Sequence, residues 1–241
     1  MYQEIQASKP LSGIIDAFWT YSNNPTDERF KVLPDTCADF IFDLQRNQAF
    51  VSGVMTRFQC RELSKGTQLL GIRFKAEQVK SLIKVPLCEL TNRRIELSEV
   101  SLIWNASRRD QLLEAESISK QIRFLDNWLS TAFEQVDQPQ DSLVRSIATG
   151  IRQSKGRIKV KEIAASNFIS LRQLQRRFKK QLGLTVKEFT SLVRFTQAQK
   201  IISSRPSESL STIAFEAGYF DQAHMTKTFQ QIAGETPSAF R

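Results

Sequence analysis

Four polar side chains share one face of a predicted helix in the stretch 170–183. They belong to Arg172, Gln175, Arg176 and Lys179. The opposite face is apolar, because Leu174 and Phe178 are spaced by four residues. Arginine can donate two hydrogen bonds to a guanine edge, glutamine can pair with an adenine edge, and lysine can contact phosphates. These residue types indicate a helix with one buried face and one face suited to a polyanion such as DNA.

Capping residues mark both ends of this helix. Ser170 and Gln173 have the S-x-x-Q spacing of a capping box, in which each residue satisfies a backbone N–H of the other. Gly183 follows the last apolar position and is the residue type that most often ends a helix. We therefore predict a helix that begins after Ser170 and ends before Gly183.

A second stretch repeats this pattern. When the two stretches are aligned on Gly183 and Gly234, Ser170 matches Asp221, which is a good N-cap residue. Each copy reads as a short helix, a turn and a longer helix, which is the plan of a helix-turn-helix. We predict the first unit at about 160–183 and the second at about 210–234.

A longer helix is predicted between the two units, over Val186–Ser203. Its length would be about 27 Å at ~1.5 Å per residue. Successive major grooves on one face of DNA lie ~34 Å apart. A connecting helix of this length, together with the width of the flanking units, is suited to placing two helices in adjacent grooves.

Charge is concentrated in the C-terminal part of the chain. Residues 143–241 contain 17 Lys and Arg against 6 Asp and Glu, whereas residues 1–142 have a net charge of −2. This division suggests a nucleic-acid-binding domain joined to a domain with another role, although a solvated basic surface would look the same. No segment approaches the ~18 apolar residues of a membrane helix. The N-terminus lacks the apolar core of a signal peptide, so we expect a cytoplasmic protein without membrane contact.

The C-terminal residues 141–241 resemble the DNA-binding domain of AraC/XylS-type bacterial transcription regulators. The second unit contains the family string I-A…G-[FY]…F…G-x-[TS]-P-x-x-[FY]-R. Its positions are Ile213, Ala214, Gly218, Tyr219, Phe229, Gly234, Thr236, Pro237, Phe240 and Arg241. The resemblance implies an activator or repressor that binds double-stranded DNA and needs no cofactor. RNA polymerase and a second copy of the chain are further candidate partners.

The resemblance also assigns roles to individual residues. The base-reading positions of the first unit fall on Arg172, Gln175 and Arg176. Those of the second unit fall on Gln222, Ala223, His224 and Lys227. Because alanine offers only a methyl group and lysine lacks the forked geometry of arginine, the first unit is expected to discriminate bases more strongly. Candidates for contact with the DNA backbone are Ser170, Arg177, Lys179, Thr226 and Thr228.

One position departs from the family pattern. The turn of the first unit has Phe168 where a glycine is usual. Asparagine tolerates positive φ better than most residues, so we expect the neighbouring Asn167 to adopt it instead.

The first 135 residues predict a β-rich domain followed by helices. Strand-like runs of β-branched and aromatic residues occur at 14–21, 30–33, 38–44, 49–55 and 68–74. A helix is predicted over 76–84, and 107–133 reads as one helix or as two that are broken near 117–119. The strands predict an antiparallel sheet or a small barrel, similar in architecture to a cupin.

The predicted organisation is therefore an α+β chain of two domains. They are 1–135, with a β-rich, cupin-like or small-barrel fold, and 141–241, which is all-α, and a linker at 136–140 joins them. The segments 32–35, 39–42 and 71–74 resemble a poorly characterised N-terminal domain of some AraC-type regulators.

The family resemblance implies a sensory or oligomerising role for the first domain. Candidate contacts for a small-molecule effector are Arg73, Phe42 and Trp19. For Arg73 we favour an ion pair with Asp39 or Asp43. Residues 1–142 contain no histidine, so neither a metal site nor a metal-dependent cupin enzyme is expected.

The three cysteines, Cys37, Cys60 and Cys88, have no C-x-x-C spacing, and we expect them to be buried structural thiols. The sequence thus favours a transcription regulator over an enzyme. Two alternatives stay open. One is a DNA-binding domain fused to a cysteine-based alkyl-acceptor repair domain, and the other is a ligand-independent adaptor protein.

Overall fold

The structure is a computed structural model that describes residues 1–22, 29–135 and 141–241. The linker predicted at 136–140 lies outside the described residues. The chain divides into two compact units. Unit 1 comprises Met1–Phe30, Cys37–Gly53 and Arg61–Gln140, and unit 2 comprises Lys31–Thr36, Val54–Cys60 and Asp141–Arg241.

The described strands form an antiparallel sheet and a separate two-stranded ribbon. In chain order they are β1 (Tyr2–Ile5), β2 (Ile15–Ser22), β3 (Arg29–Val32), β4 (Cys37–Asp43), β5 (Gln48–Ser52), β6 (Gln59–Glu62), β7 (Gln68–Lys75) and β8 (Arg94–Glu96). The sheet has six strands in the order β1-β2-β7-β4-β5-β8, and β3 pairs with β6. The β-rich character predicted for this part of the chain is confirmed.

A row of apolar side chains crosses the sheet in register. Phe18 of β2 lies opposite Ile72 of β7, which faces Phe40 of β4, which in turn faces Val51 of β5. All four side chains are fully buried. Alternation along each strand therefore produces one continuous apolar surface, which is the core of unit 1.

Helices in unit 1 follow the sheet. They are α1 (Leu97–Val100), α2 (Ala106–Glu114) and α3 (Ile118–Gln135). Of the two interpretations of 107–133, the structure has the one with two helices: α2 ends at Glu114 and α3 begins at Ile118. Ser117 Oγ accepts from the Lys120 backbone N–H at 3.3 Å and so caps the start of α3. Trp104 contacts both Phe42 and Trp128, with ring centroids 4.8 and 5.5 Å apart, so α3 packs onto the core through these rings.

Several predictions for unit 1 are wrong. The helix expected over 76–84 is only a 3₁₀ turn at Val79–Leu82, because the flanking backbone groups pair with another segment. The Lys84 N–H donates to the Val100 carbonyl, and the Leu82 carbonyl accepts from Leu102. Strands β1, β6 and β8 were not predicted, because they are short and lack apolar alternation.

The expectation that all three cysteines are buried is also wrong. Cys37 is buried and Cys88 is half-buried, but Cys60 is exposed. Its strand β6 has no fully buried residue, so the thiol points away from the apolar core.

Helices of unit 2 account for most of its residues. They are α4 (Ser142–Gln153), α5 (Val160–Ser166), α6 (Leu171–Leu182), α7 (Val186–Ser204), α8 (Leu210–Glu216) and α9 (Gln222–Ala233), followed by a 3₁₀ turn at Pro237–Phe240. The predicted all-α domain with a long central helix is confirmed. Within the described parts of the chain, no helix is long and apolar enough to span a membrane.

The central helix α7 contacts both longer helices through aromatic rings. Phe189 meets Phe178 of α6 edge to face, with ring centroids 5.7 Å apart. Phe195 meets Phe229 of α9 in the same manner at 4.7 Å and also contacts Phe240. The core of unit 2 is therefore built along α7, with one aromatic contact for each of the two helices.

Two short segments from the first 60 residues complete unit 2. The Arg152 guanidinium donates to the Thr36 carbonyl at 2.9 Å and lies over the Phe189 ring. The Phe58 backbone N–H donates to the Ile232 carbonyl at 2.7 Å. The Phe58 ring covers Gly234 so closely that a Cβ at that position would lie 2.5 Å from it. Unit 2 is thus not continuous in sequence.

We predict that Phe195→Ala lowers the free energy of unfolding of unit 2 by ~3–5 kcal/mol, because it removes two buried aromatic contacts and leaves a cavity. Chemical denaturation followed by circular dichroism would measure the change. The matched control is Phe215→Ala, since Phe215 is 82% exposed and its loss should change stability by less than ~0.5 kcal/mol. Equal effects of the two substitutions would contradict the packing described for α7.

Candidate nucleic-acid interface

The first helix-turn-helix consists of α5, a turn and α6. The turn is a Schellman motif, in which the Ile169 N–H donates to the Ala164 carbonyl and the Phe168 N–H donates to the Ala165 carbonyl. This motif requires a left-handed residue immediately after the helix cap. That residue is Phe168, with φ +52°, whereas Asn167 has φ −105°. The expectation that Asn167 would take positive φ is therefore wrong.

The second helix-turn-helix, α8 to α9, has the same turn. The Tyr219 N–H donates to the Ala214 carbonyl, and the Gly218 N–H donates to the Phe215 carbonyl. Gly218 has φ +80° and occupies the position equivalent to Phe168. A left-handed conformation costs a non-glycine residue roughly 1–2 kcal/mol, so the first turn bears a strain that the second avoids.

Capping fixes the N-terminal ends of α6 and α9. Ser170 Oγ accepts from the Gln173 backbone N–H at 3.2 Å, and Gln173 Oε1 accepts from the Ser170 N–H at 3.0 Å. Asp221 Oδ1 accepts from the His224 N–H at 2.6 Å. The predicted capping box and the predicted Asp221 cap are both confirmed. The left-handed Gly183 and Gly234 end the two helices, as the sequence predicts.

On α6 the apolar residues are buried and the predicted contact residues are exposed. Leu174 and Phe178 are fully buried. Arg172 and Arg176 line one shallow surface pocket together with Ser170 and Gln173. The structure therefore brings three of the predicted site residues together at the N-terminal end of α6.

Two other predicted residues of α6 lie apart from this pocket. Gln175 is exposed but is not among the residues that line it. Lys179 extends toward the C-terminal end of the helix, where its Nζ donates to the Gly183 carbonyl at 2.8 Å. A contact between Lys179 and a phosphate would have to replace or share that hydrogen bond.

On α9 the polar face forms a second shallow pocket. The residues that line it are Gln222, Ala223, Thr226, Lys227 and Gln230. The Thr226 hydroxyl donates to the Gln222 carbonyl at 2.9 Å, which fixes its position on the helix. Four predicted site residues thus share one surface.

His224 lies outside this pocket. Its ring meets Tyr219 edge to face with centroids 5.3 Å apart, and its Nδ1 accepts from the Phe220 backbone N–H at 3.4 Å. Burial raises the pKa of the Tyr219 hydroxyl above its ordinary value, against the opposing charge of Arg194. Tyr219 therefore stays neutral beside the histidine. Because His224 Nδ1 accepts from Phe220, Nε2 is the ring nitrogen that can donate a hydrogen bond.

Two residues that were expected to contact the DNA backbone have partners within the protein. Arg177 binds Asp141, the N-cap of α4, through its Nε at 2.8 Å and its Nη2 at 2.9 Å. Thr228 is buried, and its hydroxyl donates to the His224 carbonyl at 2.9 Å. Thr228 faces the core, so its expected contact with the DNA backbone is wrong. The expectation for Arg177 stays a prediction, because its side chain is 44% exposed beside Asp141.

Gln173 and Gln230 line the two pockets but were not predicted as site residues. Gln173 was interpreted only as the partner of Ser170 in the capping box. Gln230 lies four residues after Thr226, so helical periodicity alone places it on the same face. That spacing is the signal that could have identified it.

The two helices differ in charge. In the described structure α6 carries five Lys or Arg and no acidic residue, whereas α9 carries Lys227 as its only formally charged residue. A polyanion would therefore be attracted mainly to α6, and α9 would contribute mostly hydrogen-bonding groups.

The effector candidates of unit 1 have partners within the protein. Arg73 Nη1 lies 2.7 Å from Glu4 Oε1, and its Nε lies 3.6 Å from Asp39 Oδ1, so the favoured ion pair with Asp39 is confirmed. The Trp19 indole N–H donates to the same Asp39 oxygen at 2.7 Å. Phe42 is buried against Trp104. Among the residues that the structure describes, no group of three or more His, Cys, Asp or Glu is positioned to bind a metal.

Comparison with known proteins finds a matching family for each of the two parts of the chain. Residues 163–241 match a helix-turn-helix domain family, and residues 3–96 match a domain of unknown function, DUF6597. The helix-turn-helix part and the poorly characterised N-terminal domain predicted from the sequence are thereby confirmed.

Curated relatives are similar over the C-terminal part. The HTH-type transcriptional activator RhaS of Klebsiella pneumoniae is 34% identical over 80 residues, which is 33% of this chain and 28% of that protein. The arabinose operon regulatory protein of Salmonella typhimurium is 27% identical over 110 residues, which is 45% of this chain and 39% of that protein. The chain thus spans less than two-fifths of the length of these relatives.

A solved structure is similar over the whole chain. ToxT from Vibrio cholerae matches with a TM-score of 0.50 and 11% identity, covering 100% of this chain and 96% of that one. At this identity the similarity concerns the fold, which is a β-rich unit followed by a helical unit.

We predict that Ser170→Ala lowers the free energy of unfolding by ~1 kcal/mol, because the N-terminal amide groups of α6 lose their side-chain acceptor. Urea denaturation would measure the loss. Ser170→Thr, which keeps the hydroxyl, should retain most of the stability. Equal losses for both variants would show that the capping hydrogen bonds do not contribute.

Proposed function

We propose that this protein, whose C-terminal part is an AraC-type helix-turn-helix domain, is a sequence-specific DNA-binding transcription regulator. One observation carries the proposal: two capped helices, α6 and α9, both packed on α7, each present an exposed polar face. We propose that each face enters a major groove of double-stranded DNA.

The length of α7 supports binding to adjacent grooves. With 19 residues, α7 is about 28 Å long at ~1.5 Å per residue. Because successive grooves on one face of DNA are ~34 Å apart, two helices held near the ends of α7 are suitably spaced. One chain would then contact two grooves without dimerising.

The exposed side chains suggest that the two units recognise bases to different extents. Arg172 and Arg176 are suited to guanine edges, and Gln175 to an adenine edge. In the second unit Gln222 can read adenine, while Ala223 can only contact a thymine methyl group. We propose that the first unit discriminates bases more strongly than the second.

His224, Lys227 and Thr226 complete the proposed contacts of the second unit. The Nε2 donor of His224 is suited to an acceptor on a base or on a phosphate. Lys227 is suited to a phosphate because it is a point charge without forked geometry. Ser170 and Lys179 are the proposed phosphate contacts of the first unit.

For unit 1 we propose a sensory or oligomerising role. Arg73, Phe42 and Trp19 stay the candidate effector contacts, and an effector acid would compete with Glu4 and Asp39 for Arg73. RNA polymerase and a second copy of the chain are the other proposed partners, and the proposed location is the cytoplasm. The proposal excludes enzymatic alkyl transfer, so alkylated DNA should not methylate Cys37, Cys60 or Cys88.

We predict that binding to DNA weakens steeply as salt increases, because each neutralised phosphate releases counterions. Fluorescence anisotropy over a range of salt concentrations would measure the slope of log K against log salt. Lys179→Ala should reduce the magnitude of that slope by about 1 and weaken cognate and random DNA equally. The absence of any salt-dependent DNA binding by the full chain would refute the regulator and favour the adaptor alternative.

We predict that Arg176→Ala and Gln175→Ala each cost ~1–3 kcal/mol of binding free energy on a site selected in vitro, and that each relaxes preference at one base pair. The matched control is Arg177→Ala, because Arg177 is the next residue and binds Asp141. It should lower protein stability without changing base preference. Equal losses on selected and random DNA would show that Arg176 and Gln175 do not read bases.

A further inference from the structure

Phe168 combines two unfavourable features. Its φ of +52° is in the left-handed region, and its side chain is 97% exposed. Backbone strain at an exposed position is a recognised sign of function, because folding alone would favour another residue there.

The second helix-turn-helix shows that glycine is the residue favoured at this position of the turn. Gly218 occupies the equivalent turn position with φ +80° and equivalent hydrogen bonds. A Cβ at Gly218 would lie 2.9 Å from Arg157 Cγ, so a side chain there would also displace the Arg157 side chain. The first turn has room for the Phe168 side chain, but its hydrogen bonds do not require an aromatic ring at this position.

Exposure is unusual for phenylalanine in this protein. All 17 phenylalanines lie within the described residues, and 14 of them are buried or half-buried. The exposed ones are Phe168, Phe215 and Phe220, at 97%, 82% and 91%. Of these three, only Phe168 also has positive φ, so exposure and strain coincide at one residue.

The position of Phe168 relates it to the proposed DNA surface. It precedes Ser170, the N-cap of α6, by two residues, and Ser170 lines the same pocket as Arg172 and Arg176. In helix-turn-helix proteins the N-terminal end of the recognition helix contacts base edges. Phe168 itself does not line that pocket, but its side chain is exposed two residues before Ser170, so it is within reach of a duplex that contacts the N-terminal end of α6.

We infer that Phe168 is a further DNA contact, whose ring packs on apolar DNA surface next to the bases read by α6. A phenyl ring has no hydrogen bond to offer, so its DNA partners are apolar, namely a thymine methyl group or the face of a deoxyribose. This inference rests on the proposed function. Phe168 thereby adds an apolar contact to a helix whose other exposed residues are mainly charged or amide side chains.

The test replaces Phe168 with residues that relieve the strain. Phe168→Gly and Phe168→Asn in the full chain should raise the melting temperature by about 2–4 °C, because both residues accept positive φ. The same variants should bind a site selected by the wild-type protein about tenfold more weakly, because apolar contact area is lost. A gain in stability together with a loss of affinity is the result that a merely structural residue would not give.

Phe215→Asn is the matched control, since Phe215 is also exposed but lies within α8. It should leave DNA affinity unchanged. An equal loss of affinity in Phe215→Asn would overturn the inference, because the effect would not be particular to the turn. Unchanged DNA affinity in the Phe168 variants would also overturn the inference. If transcription fell while DNA affinity stayed the same, the ring would contact a protein and not DNA.

Two further comparisons distinguish a failure of this inference from a failure of the proposed function. If Arg176→Ala weakens binding and Phe168→Gly does not, the inference fails while the proposed function stands. If the wild-type chain shows no salt-dependent DNA binding, the proposed function fails, and the inference fails with it.

Deoxyuridine in place of thymidine identifies the apolar partner. If the substitution weakens wild-type binding and leaves Phe168→Asn unaffected, the ring contacts a thymine methyl group. If both proteins respond alike while Phe168→Asn still binds more weakly, the ring contacts deoxyribose. Either result supports the inference and specifies it.

Discussion

Two edge-to-face contacts between phenylalanines hold the helical unit together. Phe189 and Phe195 lie six residues apart on α7, so they point in different directions around the helix, and each meets a ring from a different helix-turn-helix. Because both contacts are buried, α6 and α9 are each positioned by packing on the same helix, α7. The relative placement of the two polar faces is therefore a property of α7.

Local chemistry explains which parts of this arrangement could be predicted. The caps at Ser170 and Asp221 and the terminal glycines depend on residues within one turn, so sequence alone was sufficient for them. The exposed positions of Arg172 and Arg176 follow from helical periodicity, which is equally local.

Partners distant in sequence explain the predictions that were wrong. The segment 76–84 uses its backbone groups to pair with residues near Val100 and so does not continue as a helix. The ion pair of Arg177 with Asp141 is a further long-range contact that no local pattern indicates. The error at Asn167 has a local cause instead: the Schellman hydrogen bonds between residues 164 and 169 select Phe168 for positive φ, whatever residue occupies that position. Propensity favoured Asn167, but the geometry of the turn decided the outcome.

The discontinuous makeup of unit 2 has a consequence for how the protein is made. Thr36 and Phe58 leave the ribosome long before Arg152 and Ile232, the residues whose hydrogen bonds they share. The packing of the Phe58 ring on Gly234 likewise joins residues that are far apart in the chain, so this contact cannot form until Gly234 has been synthesised. Translation therefore produces these early segments well before the residues that they pack against, and the contacts between them form later than contacts between residues close in sequence.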